Sequence, residues 1–242
     1  MPHFDDHQYW VRRTQQGGLK TVGHRRFSTQ TNELFYRRVR AALLKLIEQR
    51  VPDKRASVLD AGAGIGYYSQ ALYDAGFREM TACDISEQAL ATIERPIKKV
   101  VAPLESMRSK LGTTYDLVLC FDVLYHIIED AVFEKAIENL CQVSNKYIFI
   151  HGAFPQFIPL RLVQHVKFRT LSRHDMLFAS HGFKRVEIRP TQFLTGRLPW
   201  VYLYKILPSL TSQLDEELLK LATGLSLHRF ASQAIVVYQR TT

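Results

Sequence analysis

The stretch Val58-Leu59-Asp60-Ala61-Gly62-Ala63-Gly64-Ile65-Gly66 constrains this chain more than any other part of it. Val58 and Leu59 are strand formers. The glycines that follow permit a sharp turn and a close approach of main chain to a ligand. Residues 67–73 read as a helix, so the N–H groups of a helix start face whatever binds at the turn. A second short strand, Met80-Thr81-Ala82-Cys83, ends in Asp84. A carboxylate at that distance holds ribose hydroxyls in nucleoside sites. Together these features imply a nucleotide-type pocket at the C-terminal edge of a parallel sheet.

The dinucleotide fingerprint G-x-G-x-x-G does not fit, because counting from Gly62 puts Tyr67 where the third glycine belongs. That disfavours a nicotinamide-dependent oxidoreductase. The pattern is D-x-G-x-G-x-G, Asp60 through Gly66, and it resembles motif I of the class I S-adenosylmethionine-dependent methyltransferases. Asp84-Ile85-Ser86 resembles the acidic end of their second strand. Asp116-Leu117-Val118-Leu119-Cys120-Phe121-Asp122-Val123-Leu124-Tyr125-His126 resembles their fourth strand and the helix after it, and His181-Gly182-Phe183 the turn into their sixth strand. The matching register covers roughly residues 56–190 and the last strand.

The resemblance implies S-adenosyl-L-methionine as cofactor. Gly62, Gly64 and Gly66 are then expected to admit its methionine and ribose portions, Asp84 to accept from the ribose hydroxyls, and Ile85 to lie against adenine. Asp60 either orients the glycine turn or meets the cofactor's ammonium, and Phe121 joins the cofactor group. Many relatives carry an acid after strand three; here that run is Val101-Ala102-Pro103-Leu104-Glu105. Glu105 takes the role if the loop shifts; otherwise the backbone of Leu104 must. His126 and His151, after strands four and five, are the candidate bases, since imidazole titrates near neutrality. Tyr125 and Asp122 are placed at the same mouth, and His24 on a lid. No Cys or His spacing suggests a metal.

Residues 1–30 read as polar and irregular, with Gly17, Gly18 and Gly23 breaking any helix and Tyr9 and Trp10 as anchors. A helix is expected over 31–49. Strands are expected at 57–61, 80–83, 98–101, 116–120, 146–151, 183–188 and 233–238. Helices at 67–75, 87–94, 131–143 and 171–180 lie between them, with Ser86 and Ser172 as N-caps. This alternation implies an α/β fold with a doubly wound, mostly parallel, seven-stranded Rossmann-like sheet. It carries an N-terminal helical extension and an insertion before an antiparallel last strand. The whole chain, 1–242, reads as one methyltransferase domain: extension and lid 1–50, cofactor-binding core 51–190 and 230–242, and an apolar 191–229 that either covers the substrate side or forms an interface. A helix is expected near 214–223.

With 32 Lys and Arg against 23 Asp and Glu, the net charge is +9. The basic residues (Arg12, Arg13, Lys20, Arg25, Arg26, Arg37, Arg38, Arg40, Arg161, Lys167, Arg169, Arg173) are scattered and no RNA-binding module is appended. Nucleic acid is therefore disfavoured as a partner. Cys83, Cys120 and Cys141 are an odd set in apolar contexts, as expected of reduced thiols in a cytoplasmic protein. No apolar run spans a bilayer. The expected activity is O- or N-methylation of a small molecule such as a specialised metabolite. The alternatives are an RNA or protein methyltransferase, and a non-catalytic binding protein. The apolar 191–229 also leaves room for a homodimer.

Overall fold

The computed structural model describes residues 6–14, 18–24, 27–155, 160–194, 200–224 and 231–241. Nine strands follow in chain order: β1 Val58–Ala61, β2 Met80–Asp84, β3 Lys98–Val101, β4 Tyr115–Phe121, β5 Ser144–Gly152, β6 Leu160–Val163, β7 Val166–Phe168, β8 Phe183–Gln192 and β9 Gln233–Arg240. Seven form one sheet in the order β3-β2-β1-β4-β5-β9-β8, and β6 and β7 make a separate hairpin. The first five pair in parallel and β9 runs antiparallel to both β5 and β8. The chain winds outward from β1 through β2 to β3, then returns to β4 on the other side. That reversal puts a crevice beyond the carboxyl ends of β1 and β4, where ligands of open α/β sheets bind.

Two apolar layers sandwich the sheet, which explains why β4 is hydrophobic at every position from Leu117 to Phe121 rather than at alternate ones. Leu117, Leu119 and Phe121 face one side, with Val39, Leu43 and Ile47 of α3 (Thr29–Arg50) and Leu72 of α4 (Tyr67–Asp74). Val118 and Cys120 face the other, with Phe133, Ile137 and Leu140 of α7 (Asp130–Val143) and Phe178 of α8 (Leu171–Ser180). The period of two is the pleat of the strand. Helix starts follow local chemistry: Ser28 accepts from Thr31 N–H at α3, and Ser86 from Ala89 N–H at α5 (Glu87–Ala91).

The structure differs from the sequence reading in several places. Two helices, α1 (Asp6–Thr14) and α2 (Leu19–Val22), form within the run expected to be irregular. Helix α5 ends at Ala91, short of the expected Glu94, and a short helix not expected there, α6 (Met107–Leu111), follows β3. Thr170, not Ser172, caps α8, its side chain accepting from Arg173 N–H. Between Gly152 and Thr170 the β6–β7 hairpin adds a two-stranded ribbon.

The stretch before β9 folds into α9 (Trp200–Ile206) and α10 (Pro208–Gly224). Helix α10 packs on α3 and β8. Its hold is Asp215, fully buried, which accepts from Phe193 N–H and Leu194 N–H (both 2.8 Å), from the Tyr204 hydroxyl (2.8 Å) and from the Arg38 guanidinium. Arg38 also donates to the carbonyl and hydroxyl of Ser212. A buried anion with this many donors costs most when one partner is removed and the rest are left unsatisfied. On the opposite face Ile206, Leu207, Leu210, Leu214 and Leu221 are exposed. Asp215→Ala is expected to lower stability by about 3–5 kcal/mol, read as a shifted denaturant midpoint with the slope unchanged.

Candidate active site

The ends of β1, β2 and β4, with the turn after β3, converge on one cavity of about 1000 Å³ including its open mouth. Its floor is the turn after β1. Gly62 (φ 81°) and Ala63 both donate their N–H to the carbonyl of Cys83, at 2.7 and 3.0 Å, which ties the turn to β2. A Cβ on Gly62 would sit 2.3 Å from Val123 Cγ2, so the turn and the loop after β4 touch only because glycine stands there. Gly64 (φ 52°) faces Val22 of α2, whose side chain a Cβ would reach at 3.1 Å. Gly66 starts α4 and lies against Ile93, outside the cavity lining.

The two acids of the motif occupy different places. Asp60 is buried beneath the turn and does not line the cavity; its Oδ2 accepts from Ser69 Oγ of α4 at 2.5 Å. It orients the turn against the helix. Burial pushes its carboxyl up to about 6, with Ser69 pulling the other way. Asp84 does line the cavity. Its Oδ2 accepts from Gly64 N–H at 2.8 Å and its Oδ1 from Ser86 N–H at 2.9 Å. Burial raises its carboxyl and these backbone donors oppose the rise. An ionised carboxylate has about four acceptor sites, so two remain for a bound diol.

Ile85, Leu104, Glu105 and Phe121 also line the cavity. Leu104–Ser106 is a single 3-10 turn after β3, and it carries Glu105 to the wall, where His7 of α1 lies 3.3 Å from its carboxylate. Burial raises the Glu105 carboxyl; the hydrogen bond from His7, a backbone hydrogen bond and the His7 charge together outweigh it and hold it low.

The histidines separate. His126 lines the cavity. Its Nδ1 lies 3.0 Å from the His165 carbonyl, so the proton belongs on Nδ1 and the lone pair on Nε2. Burial pushes it down to about 4, so it is neutral at physiological pH. His151 does not reach the cavity. It is 3% exposed, with Nδ1 2.9 Å from Asp122 Oδ1 and Nε2 2.9 Å from Thr191 Oγ1. Strand β5 points the imidazole into a small chamber behind Asp122. His24 lies outside the lining, against Phe27.

Sequence reasoning missed two parts of this site. One is Tyr36 of α3, which lines the cavity, stacks on Tyr68 at 5.8 Å and lies edge-on to Tyr67 at 5.0 Å. No motif marks it; it reads as one more position of an amphipathic helix. The other is the set of contacts that the lid expected over 1–50 makes above the cavity. Helices α1 and α2 close the cavity, with Trp10 edge-on to His126 at 4.4 Å, Thr14 Oγ1 2.6 Å from Ser86 Oγ, and Arg13 donating to the Gly23 carbonyl. No described residue of 191–224 lines it. Among the described residues no helix is long and apolar enough to cross a membrane.

Asp60 gives a pH signature. Its carboxyl titrates at about 6 when folded against 3.8 when free. The folded state therefore binds the proton more tightly. The contribution to stability is full below 3.8 and lost as pH rises to about 6. Asp60→Asn removes this dependence and keeps an acceptor for Ser69. The variant is expected to gain stability relative to the parent across that window and to level off above it, measured by denaturant unfolding at stepped pH.

The family described as "Methyltransferase domain" matches residues 31–186. Among curated proteins no sequence matches. Among solved structures, a magnesium protoporphyrin IX methyltransferase from Synechocystis PCC 6803, with bound S-adenosylmethionine, is similar over 100% of both chains at 16% identity and a TM-score of 0.65. A 1,6-didemethyltoxoflavin-N1-methyltransferase from Burkholderia thailandensis, with 1,6-didemethyltoxoflavin and S-adenosylhomocysteine bound, is similar over 100% of this chain and 93% of its own, at 16% identity and a TM-score of 0.61. A Leishmania major S-adenosylmethionine-dependent methyltransferase covers 77% of this chain and 75% of its own at 20% identity, TM-score 0.62.

Proposed function

The chain belongs to the methyltransferase-domain family, and we propose that it transfers a methyl group from S-adenosyl-L-methionine to the oxygen or nitrogen of a small molecule. The observation that carries this reading is the Asp84–Gly64 pair: a cavity-lining carboxylate with acceptor sites left over, beside a cradle that a single Cβ would fill. Asp84 would hold the ribose hydroxyls, and Ile85 and Leu104 the adenine. Glu105, with its carboxylate held in the ionised form, would accept from the adenine amino group. S-adenosyl-L-methionine supplies an already activated methyl group, so the protein's part is to bring the acceptor close and align it.

A small acceptor suits a cavity walled by Trp10, Tyr36, Tyr68 and Phe121 and covered by α1 and α2. The excess of positive charge does not favour RNA, because the basic residues are scattered along the chain and several are tied to acids, Arg38 to Asp215, Arg50 to Glu187 and Arg169 to Asp130 among them. His126, neutral and with Nε2 as acceptor, would position the acceptor rather than take its proton, since a base near 4 is poorly matched to neutral pH. His151 would act through Asp122. The three cysteines are buried free thiols, which supports a reducing compartment, and we place the protein in the cytoplasm. The exposed apolar face of α9 and α10 is where a homodimer would form.

Calorimetry tests the cofactor. S-adenosylmethionine and S-adenosylhomocysteine are expected to bind and NAD not to. Asp84→Ala is expected to weaken both by about 1–3 kcal/mol, the cost of removing a charged acceptor. Binding of NAD with no response to either sulfur nucleoside overturns the reading.

A further inference from the structure

Asp122 is the one non-glycine residue with positive φ, at 60°, among the described residues. A non-glycine residue held there is uncommon and persists where its surroundings over-determine it. They do so here. Its N–H donates to the His151 carbonyl at 3.1 Å. Its Oδ1 accepts from the Tyr125 hydroxyl at 3.1 Å and from His151 Nδ1 at 2.9 Å, and Thr191 fixes the far side of that imidazole. All of these bonds fall on Oδ1. Oδ2 accepts from no described residue, while Asp122 itself lines the cavity.

No cation is bonded to Oδ2 among the described residues. Burial keeps the phenols of Tyr36, Tyr68 and Tyr125 protonated, and His126 is neutral. Arg13 is occupied by the Gly23 carbonyl, the Tyr9 hydroxyl and the Trp10 ring, and makes no bond to Asp122. Two aromatic files flank the carboxylate. Tyr36 stacks on Tyr68 at 5.8 Å and Tyr68 lies edge-on to Phe121 at 5.0 Å; Trp10, His126 and Tyr125 follow one another at 4.4 Å each. A carboxylate with an open oxygen between aromatic faces is a receptor for an organic cation.

We propose that the acceptor is an amine, bound as its ammonium by Asp122 Oδ2 between these aromatic walls, with His151 as a positioning residue for the carboxylate. This rests on the methyl-transfer reading above. The ammonium gives one proton to Asp122 Oδ2 and recovers its lone pair. The lone pair forms the new N–C bond as the donor's S–C bond breaks, leaving that electron pair on sulfur. The methylated nitrogen now carries the positive charge, and Asp122 returns its proton to water on product release.

The test uses the full chain saturated with S-adenosylhomocysteine, and calorimetry with 2-phenylethylamine and tryptamine against 2-phenylethanol and 3-phenylpropionate. The amines are expected to bind and the neutral and anionic analogues to bind about tenfold more weakly or not at all, the scale of a charge-assisted hydrogen bond. Asp122→Asn suits a left-handed position and is expected to lose the amines by about tenfold or more. Its affinity for S-adenosylmethionine and S-adenosylhomocysteine should stay unchanged. Equal binding of alcohol and amine, failure of both amines to bind, or full amine affinity in Asp122→Asn overturns the proposal. So does a matching loss of either sulfur nucleoside, which would make the cofactor the partner of Oδ2. If the parent binds no S-adenosylhomocysteine, the cofactor reading fails first and is seen to fail separately. Should Asp122→Asn not melt cooperatively, Asp122→Gly, which suits the same left-handed backbone, decides: loss of the preference for amine over alcohol supports the proposal, and its retention overturns it.

Discussion

The Asp84 carboxylate is the joint on which the site depends. It fixes the Gly64 N–H on one oxygen and the Ser86 N–H on the other. Ser86 then caps α5 and its hydroxyl meets Thr14 at the end of α1. The glycine turn, the start of α5 and the cover are thus three readings of one side chain. Loss of that carboxylate would leave backbone donors unsatisfied at the edge of the cavity, a penalty distinct from any contact with a ligand.

Four buried or half-buried aspartates show four ways of keeping an anion in a protein. Asp215 has a guanidinium partner. Asp84 relies on backbone N–H groups. Asp60 has one hydroxyl and a carboxyl pushed toward neutrality. Asp122 has a phenol and an imidazole on one oxygen, with the other left to the cavity. The first arrangement holds α10 on the sheet; the second and third shape the turn, the second with acceptor sites left over for a diol; the fourth leaves one whole oxygen to a ligand.

The strands and most helices were legible because their signals are local: strand-forming runs, a glycine turn, Ser86 as a cap. The seven strands and their mostly parallel sheet follow the reading made from the residues, and the antiparallel β9 follows what the family resemblance implied. What was not legible depends on tertiary contact. Helices α1 and α2 are short and interrupted by glycines, and they hold their form against Ser86, His126 and Gly64 rather than by propensity. The strand-end position of His151 suggested a cavity-facing base; the sequence carried no sign that Asp122, in a left-handed conformation, would stand in front of it. Tyr36 reaches the cavity only because α3 crosses the sheet at that height. Residues 191–229 read as a cover, or else an interface, from their apolar content; that Asp215 would anchor the described part of them to α3 and β8 was not legible there.

The position of β9 has a consequence for how the chain reaches this state. It lies between β5 and β8, paired to both, yet follows all the other strands in the sequence. While the chain is being made, β8 emerges with no neighbour to join, and β5 is left as the sheet's raw edge. Such edges recruit other chains. Pairings between distant segments also form late, because the loop between them must first be closed. The sheet is therefore zipped from the inside only once α9 and α10 have been passed. A cell making this protein quickly, or a variant that slows the docking of α10 on α3, would hold it longest in a half-sheet form with two sticky strands open to its neighbours.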